Sequence, residues 1–248
     1  MSGDPTVVPP AGELTGPKLG SGEMFDKIAR RYDFVNRVLS LGLDKGWRRR
    51  TVRALQLGDA PKVLDVATGT GDLAIDIARA RPQARVYGLD PSTQMLSIAA
   101  DKIAKRELGE RVTLIVGDAQ ALPYANAEMD AATIEFGIRN VPDRAAGLRE
   151  LARVVRPGGR IAVLELGEPT GGVLSRAARF HTNHVVPRLG ALLSGSREYK
   201  YLQKSIAAFP PAAEFAAMMQ ANGLHVIEVV PLTFGACTLY VATPAEQP

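Results

Sequence analysis

Residues 63–74 read Val-Leu-Asp-Val-Ala-Thr-Gly-Thr-Gly-Asp-Leu-Ala, an apolar run that breaks into a glycine loop and opens a helix. Few folds accommodate that order. A loop that leaves a strand and starts a helix is the first turn of an open α/β sheet, and glycines such as Gly69 and Gly71 let its backbone approach a ligand closely. Asp90 closes a further apolar run, Arg85-Val-Tyr-Gly-Leu89. It stands about twenty positions beyond the loop, where an acid accepts hydrogen bonds from a ribose. Together these features predict a nucleoside-cofactor site.

The nature of the nucleoside turns on charge. Gly69-x-Gly71-x-x-Ala74 satisfies the dinucleotide fingerprint in the form that ends in alanine. Yet Asp65 closes the strand and Asp72 falls in the first turn of the helix, where a pyrophosphate needs the free N–H groups of the helix N-terminus. Like charges about 4 Å apart cost on the order of 1 kcal/mol in water and about 4 kcal/mol at the dielectric of a protein surface. A cationic ligand turns that penalty into attraction, and S-adenosylmethionine, with a sulfonium and an amino group but no phosphate, is such a ligand. Asp118 follows a third apolar run, Val112-Thr-Leu-Ile-Val-Gly117. Single aspartates are common beyond strands as turn formers and helix caps. Three successive ones after a glycine loop instead lead us to expect Asp65, Asp90 and Asp118 to converge on the amino, ribose and adenine ends of one molecule.

Composition narrows the class. A chain of 248 residues, 46% hydrophobic, can bury a full core as one domain. Residues 1–22 are rich in Pro, Gly and Thr and lack the apolar centre of a signal peptide, so a flexible tail is expected there, with a single domain over 23–248. No run is long enough to span a bilayer. The single Cys237 excludes an intramolecular disulfide framework and suits a buried strand, which points to the cytoplasm. Net charge is +4, with Lys45, Arg48, Arg49, Arg50 and Arg53 clustered around the one tryptophan, Trp47. A solvated helix face is the expected meaning of that cluster. Peripheral contact with the inner face of a membrane is the second reading, and no recognised nucleic-acid module surrounds the cluster.

Periodicity orders the rest. Phe25, Ile28, Ala29, Tyr32, Val35 and Leu39 recur at three- and four-residue intervals, predicting an amphipathic helix over 24–39. A basic helix is expected at 44–55. Strands at 62–67, 84–89, 112–117, 130–136 and 160–166 then alternate with helices at 71–80, 92–106 and 142–154, the mark of a parallel sheet with crossover helices. Ser92 and Asp143 are the expected helix starts, and Pro157-Gly158-Gly159 the turn into the fifth strand. A helical insert is expected over about 172–208, then a helix at 211–222. Strands at 224–231 and 236–242, joined by Thr233-Phe-Gly235, close the fold as an antiparallel hairpin.

Several longer motifs add a resemblance. They are Tyr32-Asp33-Phe34-Val35-Asn36 with Leu39-Ser40 and Trp47, Phe136-Gly-Ile-Arg-Asn-Val-Pro-Asp143, and Arg153-Val-Val-Arg-Pro-Gly-Gly159 leading to Leu164-Glu165. His184-Val-Val-Pro-Arg-Leu-Gly190 and Tyr199-Lys-Tyr-Leu202 complete the set. The chain resembles the ubiquinone/menaquinone biosynthesis C-methyltransferase family from about Met24 to Leu232. That implies a Rossmann-like class I methyltransferase: a mostly parallel seven-stranded α/β sheet ending in an antiparallel hairpin, with N-terminal helices and a helical insert. The implied reaction is C-methylation of a polyprenylated hydroquinone by S-adenosylmethionine, demethylmenaquinol or the corresponding benzoquinol. The implied cofactor contacts are Thr70 and the Asp118-Ala119 pair, with Asp90 on the ribose; Gly69 and Gly71 complete the loop. The chain departs from the pattern at Val35, Asp44, Glu135 and Gly167. Glu135 stands where a small residue is usual, and three roles are open to it: pairing with the sulfonium, acting on the substrate hydroxyl, or marking a divergent branch with another acceptor.

Carbon attack needs an electron-rich ring, and phenols titrate near the tyrosine value of about 10, so loss of the hydroxyl proton must be assisted. Arg139 is expected to stabilise the phenolate and Asn140 to orient the ring oxygen, unless Arg139 pairs with a nearby acid such as Asp143 or Glu150. Tyr32 is expected to close the pocket or to pack on a core face. His181 and His184 lack a third ligand cluster, so no metal is expected. The competing reading is a small-molecule methyltransferase of secondary metabolism.

Overall fold

The computed structural model describes Ala29, Arg37, Ser40, residues 42–167 and residues 196–246. Tyr32, Asn36, His181, His184, the tail, and most of the 24–39 helix and of the insert lie outside the described residues. Ala29 and Arg37 are both helical. The elements run α1 (Asp44–Ala54), β1 (Lys62–Val66), α2 (Asp72–Ala80), β2 (Arg85–Asp90), α3 (Thr93–Ala104), β3 (Val112–Val116) and β4 (Met129–Glu135). After a 3-10 turn at Ile138–Asn140 come α4 (Arg144–Val154), β5 (Val155–Leu166), α5 (Ser196–Ala207), α6 (Ala212–Ala221), β6 (Leu224–Leu232) and β7 (Cys237–Pro244).

The seven strands form one sheet in the order β3-β2-β1-β4-β5-β7-β6. The pairs β3–β2, β2–β1, β1–β4 and β4–β5 are parallel; β5–β7 and β7–β6 are antiparallel. Central parallel strands are covered on both faces, so they read as continuous apolar runs. Val63, Leu64, Asp65 and Val66 are all buried. Trp47, Leu73, Ile77, Leu96 and Ile103 from α1, α2 and α3 pack one face. Leu148, Leu151, Phe215 and Met219 from α4 and α6 pack the other.

Both expected helix starts hold their N-termini. The Ser92 hydroxyl accepts from the Met95 amide at 3.1 Å and the Asp143 carboxylate from Ala146 at 2.9 Å, each satisfying an amide that has no partner within the helix. Strand β5 differs from the expected 160–166. It begins at Val155, and Met129 pairs with Val155 while Ala131 pairs with Arg160, so residues 156–159 bulge out opposite Asp130. Glycine permits this: Gly158 has φ +74°, and a Cβ on Gly159 would lie 2.5 Å from the Asp130 carbonyl oxygen. The Pro-Gly-Gly signal was a bulge inside a strand rather than a turn ahead of one.

Candidate active site

Strand order reverses between β1 and β4, and at such a point the carboxyl ends of the strands splay to leave a crevice. The loop after β1 turns into it with Ala67, Gly69 and Gly71 at φ 53°, 55° and 80°. Gly137 presses against this loop from the end of β4, where a Cβ would fall 2.5 Å from the Ala67 Cβ. Asp90, at the end of β2, anchors the loop. One carboxylate oxygen accepts from the Gly69 amide and the other from the Ser92 amide, both at 2.8 Å. Asp65 turns inward, accepting from the Thr68 and Thr133 hydroxyls at 2.6 Å each. Burial pushes its carboxyl up to about 6.

The crevice encloses about 540 Å³, its solvent mouth included. Arg37, Asp44, Arg48, Asp72, Glu135 and Phe136 face the glycine loop across it. At its centre is the guanidinium of Arg48, which meets Asp76 at 2.9 Å, Asp44 at 3.0 Å, and Asp72 and Glu135 at 3.8 Å. Lys102 adds a second cation, binding Asp72 at 2.8 Å and the Thr70 hydroxyl at 2.9 Å. Acids still outnumber bases. Oxygen Oε1 of Glu135 is buried without a hydrogen bond, and burial raises this carboxyl well above its ordinary range, countered by Arg48 and reinforced by Asp65.

Beyond β4 the chain turns through Ile138–Asn140. Arg139 is buried and forms a short ion pair with Glu165 of β5; its guanidinium also donates to the Phe136 carbonyl at 2.8 Å, and its amide to Glu165 at 3.2 Å. Asn140 accepts from the Tyr201 hydroxyl at 3.1 Å and donates to the Phe136 carbonyl at 3.4 Å. Asp118 is engaged by its own turn, accepting from the Gln120 amide at 2.9 Å and from its side-chain nitrogen at 3.0 Å. The Gln120 side-chain oxygen Oε1 accepts in turn from the Asp143 amide.

Thr70, Gly69 and Glu135, expected from the sequence, therefore line one crevice with Asp65. Gly71 starts α2 beside them. Asp90, Asp118 and Ala119 stand at or just beyond the neighbouring strand ends, outside that lining. The acid partner of Arg139 is Glu165 rather than Asp143 or Glu150, because Asp143 caps α4 and Glu150 accepts from Arg153 and the Leu122 amide. Arg48 also departs from expectation: the solvated cluster would leave it exposed, and it is buried with Trp47 and Thr51. The stripe formed by positions 44, 47, 48 and 51 carries the signal, since residues three and four apart share a helix face. Nothing in the sequence marks Asp76 or Lys102, and Glu165 stands out only as the end of a family motif; the partners of all three arrive from other elements. Among the described residues no group of three or more His, Cys, Asp or Glu is placed to hold a metal. Cys237 is buried, and burial raises its thiol well above the ordinary range.

Comparison with known proteins adds a family. Residues 17–244 match the ubiE/COQ5 methyltransferase family. The chain is similar to the ubiquinone/menaquinone biosynthesis C-methyltransferase of Syntrophotalea carbinolica, 46% identical with 88% of this chain and 91% of that protein covered. It is equally similar to the demethylmenaquinone methyltransferase of Thermus thermophilus, 46% identical with 88% and 98% covered. Among solved structures it resembles an S-adenosylmethionine-dependent methyltransferase from Aquifex aeolicus at TM-score 0.58 and 18% identity, covering 79% of this chain and 88% of that one. At that identity the likeness shows the fold, a Rossmann-like methyltransferase sheet, and leaves the chemistry to the site.

Proposed function

This chain belongs to the ubiE/COQ5 methyltransferase family, and on that footing we propose that it methylates a ring carbon of a polyprenylated hydroquinone, demethylmenaquinol first. The observation that carries this reading is the acid-rich crevice at the sheet's switch point, with an oxygen of Glu135 left without a hydrogen bond inside it. An excess of buried carboxylate suits a cationic donor and opposes a pyrophosphate. S-adenosylmethionine supplies an electrophilic methyl group when bound.

The chain's residues divide the remaining work. Asp90, fixed at the mouth of the glycine loop, takes the ribose hydroxyls, and Asp118 with the Ala119 amide takes the adenine edge. Thr70 and Lys102, already in contact, hold the methionine carboxylate. Glu135 accepts the quinol's hydroxyl proton. A carboxylate made more basic by burial suits that task, because it narrows the gap to a phenol, while Arg48 keeps it ionisable. Arg139 acts by positioning: its bond to the Phe136 carbonyl and its pairing with Glu165 hold the turn that carries Phe136 and Asn140. Asn140, exchanging a hydrogen bond with Tyr201, orients the ring oxygen from that turn.

The test is incubation of purified protein with methyl-labelled S-adenosylmethionine and each reduced quinone precursor, followed by identification of the labelled product. Label on a ring carbon of the naphthoquinol is the expected result, with the benzoquinol as the second arm. Absence of label from both ends the reading.

A further inference from the structure

The outward face of α1 carries Lys45, Arg49, Arg50 and Arg53, all exposed. No acid among the described residues pairs with them, and the helix's one acid, Asp44, turns inward to Arg48. Two apolar side chains are exposed on the segments that Trp47 joins. Leu43, just ahead of the helix, is 43% exposed, and Phe234 is 53% exposed. Trp47 ties the two together, since it lies one turn beyond Leu43 and its indole nitrogen donates to the Thr233 hydroxyl at 2.9 Å. Phe234 holds its ring in solvent from a left-handed backbone, φ 58° and ψ 29°, a conformation bulky residues rarely adopt. A strained backbone that presents an aromatic ring to solvent, on a turn hydrogen-bonded to the basic helix, serves neither the core nor the crevice, and such strain concentrates where a ligand is met.

We propose that α1 and the Thr233–Gly235 turn form a docking surface for an anionic lipid bilayer, with the four bases at the phosphate level and Leu43 and Phe234 in the acyl boundary. Charge complementarity commits the surface to this partner: a continuous arc of bases meets a plane of phosphodiesters, and the apolar pair supplies the shallow insertion that a purely electrostatic contact lacks. The placement also serves the crevice, to which the same helix contributes Asp44 and Arg48. A polyprenyl chain dissolved in the bilayer then reaches the crevice without crossing water. That last step rests on the proposed substrate; the docking itself does not.

Co-sedimentation of the full chain with phosphatidylcholine vesicles, with and without phosphatidylglycerol, tests the surface. Binding is expected to need the anionic lipid and to fall steeply with added salt. Reversing Arg49, Arg50 and Arg53 to Glu should lower partitioning by roughly two orders of magnitude. Phe234→Gly, which relieves the left-handed strain while deleting the ring, should lower it about tenfold and leave the salt dependence in place. Turnover of a short-tailed, water-soluble quinol should be unchanged in both variants, which also shows that they fold. Equal binding to neutral and anionic vesicles, wild-type partitioning by both variants, or tighter binding to a single-stranded RNA than to vesicles would each overturn the proposal. Vesicle binding without methylation of any quinol would remove the proposed substrate and leave the surface standing; methylation without vesicle binding would do the reverse.

Discussion

Arg48 and Arg139 are each 7% exposed, yet one sits among four carboxylates and the other faces a single one. The Arg139–Glu165 pair is matched one to one. Glu165 receives the guanidinium and two amides, the Phe136 carbonyl takes a further bond, and only Arg139 Nε, buried with them, makes no hydrogen bond. Around Arg48 the balance differs: three acids from α1 and α2 and one from β4 share one guanidinium, and the Glu135 oxygen that faces it at 3.8 Å makes no hydrogen bond. A buried charge matched one to one stabilises position and makes no chemistry. A mismatch at the edge of a crevice stores the capacity to bind a cation or a proton.

The contrast can be broken at four places. The largest effect is expected at Glu165→Ala, which strands the Arg139 guanidinium and should lower the unfolding free energy by about 3–5 kcal/mol in urea titrations. A loss under about 1 kcal/mol would show that the pair is not the structural member of the two. Asp65 comes next. Its folded carboxyl is raised from 3.8 to about 6, so the native state holds the proton more tightly than the unfolded chain does. Its contribution is therefore full below the unfolded value and is lost as pH rises through about 6, a change of about 3 kcal/mol. Unfolding curves measured across that window should show the slope, and Asp65→Asn should flatten it.

Glu135→Gln should reduce turnover by about 100-fold, with affinity for S-adenosylmethionine, read by calorimetry, changed far less. Because Arg48 keeps three other acids, stability should move by no more than about 1 kcal/mol. Comparable losses of affinity and turnover would instead assign Glu135 to the donor. The smallest effect belongs to Asp76→Asn, whose side chain is 35% exposed and whose charge is one of four on Arg48. Less than about 1 kcal/mol in thermal or urea unfolding is expected. A larger loss would mean that the cluster is as tightly matched as the Arg139 pair.

Local relations were legible along the chain. Ser92 and Asp143 announce helix starts because a capping side chain reaches only two or three residues ahead. The glycine loop and Asp90 are recognisable because strand, turn and helix are consecutive, and the same alternation implies the parallel sheet. Asp44 and Arg48 are within reach of sequence reasoning too, as an i, i+4 pair on the buried stripe. The turn after Arg156 was misread because Pro-Gly-Gly marks a break in the backbone without saying whether the strand resumes on the same neighbour.

The sequence by itself determined the class of fold, the order of its elements, the family and the glycine loop that turns into the crevice, since each rests on neighbours within one or two turns of chain. Only the tertiary structure decided which acid meets which base. Glu165 reaches Arg139 across 26 residues because β5 lies beside β4, and Glu135 reaches Arg48 because α1 folds back over the end of β4. Strand order and helix placement are set by burial of the whole core, and the strength of a charge pair depends on that burial as much as on the residues themselves.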